Sequence, residues 1–339
     1  MTEAMSPLLR KAIESRRLPR WLSSVAGPYA AVFTLHRPRP EDRMFNGVSE
    51  ALLKQCLEYA RQRGYEFVSI DELVRRALSG VEARHPMLCL TLDDGYADQV
   101  TRLVPMLLEY EAKPTLFVIS DFADDQDWPW DAQLAYAVKA CEASSVTLAL
   151  GERHRVFDLN GKPDRIFCRR TIVQYAKTLD SAHLSDFILH VAATCQVTIP
   201  ERAPEGYRPA TWSMLREWED KGLKIGSHNR SHNVLTALDP ERVGAELKYS
   251  WERLSSELAA PSKTFCYPSG TARDFSKTHE SLVRSAGYEA GVTTLSRIAY
   301  FRDIRRNPYR ISRIGFPDTV AQFARYASWV EALRSKLPF

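Results

Sequence analysis

The sequence predicts an α/β protein built on a largely parallel β-sheet, either open or closed into a barrel. Short apolar runs rich in β-branched residues alternate with stretches of helical periodicity, and the connections between them are short. A chain of 339 residues that is 45% hydrophobic and 26% charged has the length and composition of one large globular domain. In such folds catalytic residues gather at the carboxyl ends of the strands.

Each predicted element follows from its periodicity. Short, nearly continuous apolar runs indicate strands that are buried on both faces. These predicted strands are 30–35, 66–69, 87–92, 115–119, 223–226, 264–267 and 290–293. Apolar residues spaced at three and four positions indicate helices between them. The predicted helices are 49–63, 71–78, 97–111, 213–221, 240–258 and 279–286.

Residues 121–207 interrupt this alternation. They contain three helical stretches, at 131–141, 169–179 and 184–195, and a polar turn at 160–163. We predict a largely helical insertion at about 121–207 within a single domain of residues 30–339. Residues 1–29 are predicted to form an N-terminal extension.

Composition and charge exclude several classes of protein. The 46 Lys and Arg residues nearly balance the 42 Asp and Glu residues, which does not favour a nucleic-acid binder. No run approaches the roughly 20 apolar residues of a membrane helix. The six cysteines are scattered without a CxxC pair, and the basic N-terminus lacks the apolar core of a secretory signal. We expect a cytoplasmic protein, with docking of the N-terminus on a membrane surface as an open alternative.

Two adjacent carboxylates, Asp93 and Asp94, follow the predicted strand 87–92 and precede Gly95. Successive strand residues point to opposite faces, but a break at glycine allows both side chains to turn toward one cleft. One carboxylate could then bind a cation while the other acts as a base. Alone, the motif is equally typical of an Asp-Gly turn with a solvated or capping aspartate.

A second motif follows the predicted strand 223–226. His228 and His232 are four residues apart, a spacing that can direct two imidazoles to one metal ion. Two histidines and one aspartate form a three-ligand site that leaves positions open for water and substrate. A third strand end, at 265–270, runs into a Pro-Ser-Gly turn whose backbone N–H groups suit an oxyanion hole.

Taken in order, these motifs resemble the polysaccharide deacetylase family (carbohydrate esterase family 4). The motifs are Thr-Leu-Asp-Asp-Gly at 91–95, Gly-Ser-His-Asn-Arg-Ser-His at 226–232 and Phe-Cys-Tyr-Pro-Ser-Gly at 265–270. Residues 32–37 and 307–314 resemble the early and late strands of its exopolysaccharide-type branch. The resemblance implies the family's distorted (β/α) barrel and covers about residues 30–316, with only a loose likeness in the insertion.

Carried onto this sequence, the resemblance implies that Asp94, His228 and His232 hold a divalent metal. The metal would be zinc, as in most of the family, with cobalt and nickel as alternatives. Asp93 would be the general base, and a backbone N–H near Ser269 would stabilise the oxyanion.

The sequence departs from the family pattern at two functional positions. No histidine follows Arg313, so the family's late Leu-x-His motif, which supplies the general acid, is missing. His36, at the end of the first strand, is expected to replace it, although it could also be a structural strand-end histidine. Cys266 stands where an arginine usually orients the base, and Arg313 is expected to restore that contact.

Aromatic residues near the predicted cleft could bind a sugar ring. Tyr96, Trp128, Trp130 and Tyr267 are the candidates, although a tryptophan at a helix start is more often a core residue.

We expect a metal-dependent hydrolase that removes N-acetyl groups from an amino-sugar glycan or its precursor, in surface polysaccharide or lipopolysaccharide biosynthesis. A catalytically inactive carbohydrate-binding relative and a metal hydrolase of another non-peptide amide are the alternatives. Because an inactive site need not retain Asp93, Asp94, His228 and His232 together, the first alternative is less favoured.

Overall fold

The computed structural model describes residues 27–39, 47–80 and 86–334. The predicted N-terminal extension and its docking on a membrane surface therefore lie outside the described residues, apart from positions 27–29. None of the helices in the described ranges is long and apolar enough to cross a membrane.

The structure contains the seven predicted strands, with ends that differ by one or two residues, and four further strands. The strands are β1 (Tyr29–Leu35), β2 (Glu66–Phe67), β3 (Met87–Leu92), β4 (Thr115–Val118), β5 (Ser145–Leu150), β6 (Arg153–Asp158), β7 (Lys224–Ser227), β8 (Thr264–Cys266), β9 (Ala290–Val292), β10 (Ala299–Tyr300) and β11 (Ile314–Gly315).

The predicted helices are also present, and most begin at a side chain that caps the first turn, such as Ser49, Ser69, Thr211 or Asp239. The helices are α1 (Glu50–Arg63), α2 (Ile70–Ser79), α3 (Val104–Glu109, entered through a π-helical turn at Gln99–Leu103), α4 (Ser120–Ala123), α5 (Trp130–Ala140), α6 (Lys162–Ala176), α7 (Ser181–Thr194), α8 (Trp212–Asp220), α9 (Pro240–Glu257), α10 (Lys277–Ser285), α11 (Phe301–Arg306), α12 (Val320–Ala327) and α13 (Trp329–Arg334).

One nine-stranded sheet forms the body of the protein. Its order is β10-β1-β3-β4-β7-β8-β9, with β2 paired to β3 and β11 paired to β1, and only β10 is antiparallel to its neighbour. Residues 311–315 join the two sides of this sheet, because Ile311 bridges to Val292 while β11 pairs with Phe33 and Thr34 of β1. The sheet therefore curls into a distorted (β/α) barrel, as the sequence predicts.

Both faces of the central strands are buried, which explains their continuous apolar sequences. In β1, Ala31 and Phe33 pack in a cluster with α1 and α12. Ala30 and Val32 point the other way and pack with α2 and α11. The six cysteines are all buried and unpaired, so they contribute to packing rather than to disulfides.

The 121–207 segment has an apolar core of its own, formed by α5, α6, α7 and a β-hairpin. The hairpin pairs β5 with β6 in antiparallel register. It is absent from the prediction, which describes the insertion as largely helical and assigns no element between 141 and 160. The sequence signal for the hairpin is the alternation of polar and apolar residues at the start of β5, followed by Gly151. In the structure these residues are alternately exposed and buried, and Gly151 has a φ of 69° in the turn. A second cluster, which includes Tyr96, Phe122, Trp128 and Tyr207, connects the segment to the barrel.

Gly226, in β7, is required by close packing inside the barrel. A Cβ atom at this position would lie 2.8 Å from the Phe117 ring and 2.9 Å from the carbonyl oxygen of Thr264. Gly226→Ala is therefore expected to lower the free energy of unfolding by about 1–3 kcal/mol, measured by urea denaturation.

Gly244→Ala is the matched control, because Gly244 lies inside α9 with nothing within 4 Å of the added atom. That change should raise the free energy of unfolding by up to about 1 kcal/mol, since alanine favours helix. Equal effects of the two substitutions would contradict the packing argument.

Candidate metal centre and catalytic site

The predicted site residues converge at the carboxyl ends of adjacent parallel strands. Asp93 and Asp94 follow β3, His228 follows β7, and Ser269 follows β8. The strands β3, β4, β7 and β8 are neighbours in the sheet, so residues far apart in the sequence meet in one place.

Asp94, His228 and His232 form a compact group of possible metal ligands. The Nε2 atoms of both histidines lie 3.6 Å from Oδ1 of Asp94. One ligand atom from each residue falls within 4.8 Å of the other two. Two imidazoles and one carboxylate are donors that suit zinc and similar divalent ions, and three protein ligands leave positions open for water or substrate.

The ring of His228 is already oriented for metal binding. Its Nδ1 lies 2.9 Å from the carbonyl oxygen of Cys266, to which it donates, so Nε2 presents its lone pair toward Asp94. Burial lowers the pKa of His228 to about 3, which keeps the imidazole neutral. Since metals bind neutral imidazole, this residue fits a divalent cation.

His232 is held by two residues of α5. The indole Nε1 of Trp130 donates to the carbonyl oxygen of His232 at 3.0 Å, and Nδ1 of His232 lies 3.5 Å from Oδ1 of Asp131. Burial disfavours the charged imidazole, but the carboxylates of Asp131 and Asp94 raise the pKa of His232 overall. The cluster therefore attracts positive charge at this position, as a cation site should.

The backbone is strained at the site. Seven described residues other than glycine have positive φ angles, and four of them belong to the motifs: Asp94 (81°), Asn229 (70°), His232 (62°) and Ser269 (60°). Such conformations cost free energy and persist where the surroundings enforce them, often at functional sites. Asp94 adopts this left-handed backbone directly after β3, where the Asp-Asp-Gly turn begins.

The side chain of Gln99 fixes the Asp-Asp-Gly turn by hydrogen bonds, a role that was not predicted from the sequence. Its Oε1 accepts hydrogen bonds from the backbone N–H groups of Gly95 and Tyr96, at 3.1 and 2.8 Å. Its Nε2 donates to the carbonyl oxygens of Asp93 at 2.7 Å and His36 at 3.2 Å. One buried amide thus ties the end of β1 to the end of β3.

Glu246, on α9, holds the histidine motif in the same way. Its Oε2 accepts from Nδ2 of Asn229 at 2.7 Å and from Oγ of Ser231 at 2.8 Å. Nothing near Glu246 in the sequence indicates this role. A short turn separates the histidine motif from α9, and Glu246 comes into contact with the motif only when the chain folds. Gln99 has a weak signal, since it lies four residues after Gly95 at a helix start.

Asp93 forms a bidentate ion pair with Arg313 inside the barrel. Nη1 of Arg313 lies 2.7 Å from Oδ1, and Nη2 lies 2.8 Å from Oδ2. Burial favours the neutral acid, but the guanidinium, with His228 and His36, holds the pKa of Asp93 below its usual range. Asp93 is therefore an ionised carboxylate with a fixed orientation at neutral pH.

Cys266 lies against this ion pair. Its Sγ is 3.1 Å from Nη2 of Arg313 and 3.5 Å from Oδ1 of Asp93. Burial raises the pKa of the thiol well above its usual value, so the side chain is a neutral thiol rather than a nucleophile. Cys266 stands where the family pattern has an arginine, and Arg313, the residue before β11, contacts Asp93 instead.

His36 and Ser269 lie beyond the carboxyl ends of β1 and β8. His36 is exposed at the end of β1. Burial raises the pKa of Asp94, and the positive form of His36 would act against this shift, as it would add to the lowering of the pKa of Asp93. The turn around Ser269 is fixed by Thr294, whose hydroxyl donates to the Ser269 carbonyl at 2.6 Å. No acceptor among the described residues engages the Ser269 N–H, which leaves it available as a donor.

The four aromatic candidates are buried in the protein rather than displayed as stacking platforms. Tyr267 stacks on Phe275 with ring centroids 4.4 Å apart, and its backbone N–H is used by Val292. Trp128 and Tyr96 pack in the cluster that joins the 121–207 segment to the barrel. The prediction that a sugar stacks on these rings is therefore wrong, because the rings are core residues. Trp130 contacts His232 instead.

Comparison with known proteins agrees with this geometry. The family model for polysaccharide deacetylase matches residues 80–155 and 173–291, which include both aspartates, both histidines and Ser269. No curated protein matches the sequence at a significant level.

Three solved structures illustrate the likeness in fold. The deacetylase PplD of Streptococcus pyogenes, in complex with acetate, is 20% identical, with a TM-score of 0.56 over 92% of this chain and 100% of that one. IcaB from Ammonifex degensii is 18% identical, with a TM-score of 0.55 over 89% and 97%. A de-N-acetylase from Aggregatibacter actinomycetemcomitans is 13% identical, with a TM-score of 0.52 over 87% and 100%.

These structures share the barrel, and the family model covers more than half of the chain together with the residues that converge in space. The protein therefore belongs to the polysaccharide deacetylase family and is a hydrolase of the carbohydrate deacetylase class.

Proposed function

We propose that this chain is a metal-dependent N-deacetylase of an amino-sugar glycan or its precursor, acting in surface polysaccharide or lipopolysaccharide biosynthesis. The observation that supports it most strongly is the convergence of Asp94, His228 and His232 beside the ionised carboxylate of Asp93. The likeness of residues 32–37 and 307–314 to the exopolysaccharide-type branch supports the class of substrate. The acetate bound to the S. pyogenes deacetylase is the product expected here.

A divalent cation held by Asp94, His228 and His232 would polarise the acetyl carbonyl and lower the pKa of a water molecule. In the proposed reaction, Asp93 accepts the proton of the attacking water. Arg313 keeps Asp93 charged and oriented for this proton transfer.

Charge then develops on the acetyl oxygen and on the departing amine. The Ser269 N–H donates a hydrogen bond to the oxygen as it becomes an oxyanion. His36 delivers a proton to the nitrogen, so the products are acetate and a free amino sugar. Among the described residues, His36 is a histidine that acts on the charges of both Asp93 and Asp94 and is not one of the proposed metal ligands.

An inactive sugar-binding relative remains the alternative from another class. Against it stands the buried pair of Asp93 and Arg313. A buried ion pair contributes little net stability, so its presence beside a ligand group favours a catalytic use.

Release of acetate tests the proposal directly. The protein loaded with zinc, cobalt or nickel is expected to release acetate from at least one N-acetylhexosamine oligomer, nucleotide sugar or lipid-linked saccharide. Asp94→Asn removes a charged ligand and is expected to lower both metal content and acetate release. Stoichiometric metal in Asp94→Asn would contradict the ligand assignment, and binding of glycans without any release would favour the inactive alternative.

Asp93→Asn separates the base from the ligands. The variant is expected to retain about one metal ion per chain and to lose about 10²–10⁴-fold in kcat, because an amide cannot accept the proton. Metal content measured by mass spectrometry shows that the site is intact. An acetate-release rate near that of the wild type would exclude Asp93 as the base.

His36→Gln tests the general acid through the leaving group. Deacetylation of the amino sugar should fall by about 10²–10⁴-fold in kcat, since the amine must be protonated as it departs. Hydrolysis of 4-nitrophenyl acetate should change little, because its phenolate leaves without a proton. His154→Gln, an exposed residue of β6, is the control. Equal losses on both substrates would contradict the assignment.

A further inference from the structure

We propose that Asp131, on the 121–207 segment, is a positioning residue for the metal centre: it orients the His232 imidazole through Nδ1, so that Nε2 faces the metal. The inference rests on the proposed function only in taking Asp94, His228 and His232 as metal ligands. It gives the 121–207 segment a direct part in metal binding.

Two buried polar atoms that face each other carry the inference. Nδ1 of His232 and Oδ1 of Asp131 lie 3.5 Å apart. Both atoms are shielded from solvent, and neither has a hydrogen-bond partner within the described ranges. A buried polar atom without a partner is unfavourable, so a contact between these two atoms would satisfy both. The opposite ring nitrogen, Nε2, lies 3.6 Å from Asp94.

The neighbouring residue holds the same histidine by its backbone. Nε1 of Trp130 donates to the carbonyl oxygen of His232 at 3.0 Å, and the two ring centroids lie 6.2 Å apart. His232 has a φ of 62°, a conformation that needs external support. Consecutive residues at the start of α5 thus contact both the backbone and the ring of one ligand.

The charge of Asp131 suits this role. A carboxylate accepts from Nδ1–H and so selects the tautomer whose Nε2 lone pair is free for a metal.

The two metal-binding histidines are oriented by different parts of the chain. His228 donates to a backbone carbonyl of β8 in the barrel, whereas His232 faces a side chain of α5. The packing of α5 depends on the core of the 121–207 segment. Metal affinity is therefore linked to the folding of that segment.

Metal affinity, measured without substrate, tests the inference. Competition with a chromophoric chelator should give a Zn²⁺ dissociation constant about 10–100-fold higher for Asp131→Asn than for the wild type. Asp131→Glu, which keeps the charge, should recover part of the affinity. Asp186→Asn is the matched control, because it makes the same change at an exposed position of α7.

A spectroscopic readout distinguishes orientation from general destabilisation. The Co²⁺ absorption spectrum of Asp131→Asn should differ from that of the wild type, since the His232 ring is no longer fixed. The metal-free forms of the two proteins should melt at similar temperatures. An Asp131→Asn protein with the affinity and Co²⁺ spectrum of the wild type would overturn the inference.

Failure of the proposed function would look different. If the wild type and Asp94→Asn bind Zn²⁺ equally weakly, the metal centre itself is wrong. If Asp94→Asn loses the metal while Asp131→Asn does not, only the role of Asp131 is excluded.

Discussion

The hydrogen bonds and ion pair of the buried Arg313 guanidinium are the interactions on which the barrel and its site both depend. Arg313 has the largest fully buried side chain among the described residues, and all of its donor nitrogens have partners. It donates to Thr91 on β3, to the carbonyl oxygen of Thr293 after β9, to Cys266 on β8 and to both oxygens of Asp93. Because Arg313 lies on the segment that closes the sheet, the same residue supports the closure and keeps Asp93 ionised. Removing one member of a buried pair costs about 3–5 kcal/mol, so loss of the Arg313 side chain is expected to weaken the fold as well as the site.

Around this pair, the site is built from turns that other elements hold in place. Gln99 fixes the carboxylate turn from the start of its own helix, whereas Glu246 fixes the histidine turn from α9. These bonds stabilise left-handed backbone at Asp94 and Asn229, which would otherwise be unfavourable. The ligands are therefore oriented by the folded chain before any metal binds, a condition for tight binding with defined geometry.

The 121–207 segment contributes to the site from outside the barrel sheet. It has its own apolar core, yet the first residues of α5 reach His232. The aromatic residues between this segment and the barrel are buried because they form the contact between the two. They pack against each other instead of facing a sugar.

The sequence by itself determined the barrel strands, their order along the chain and the candidate site residues that the fold brings together. Strand periodicity is local, and the motifs at 91–95, 226–232 and 265–270 are contiguous, so both can be read without contacts. The hairpin β5–β6 was missed because its exposed, polar second strand lacks the apolar run that marks the others. Only the tertiary structure decided that Gln99, Glu246 and Asp131 lie against the site residues. The contact of Arg313 with Asp93, across 220 residues, was expected from the family resemblance and not from the periodicity of the sequence. Most of these contacts join residues that are far apart in the sequence. A single hydrogen bond between two such residues does not change the hydrophobic periodicity of either segment, so it cannot be predicted from that periodicity.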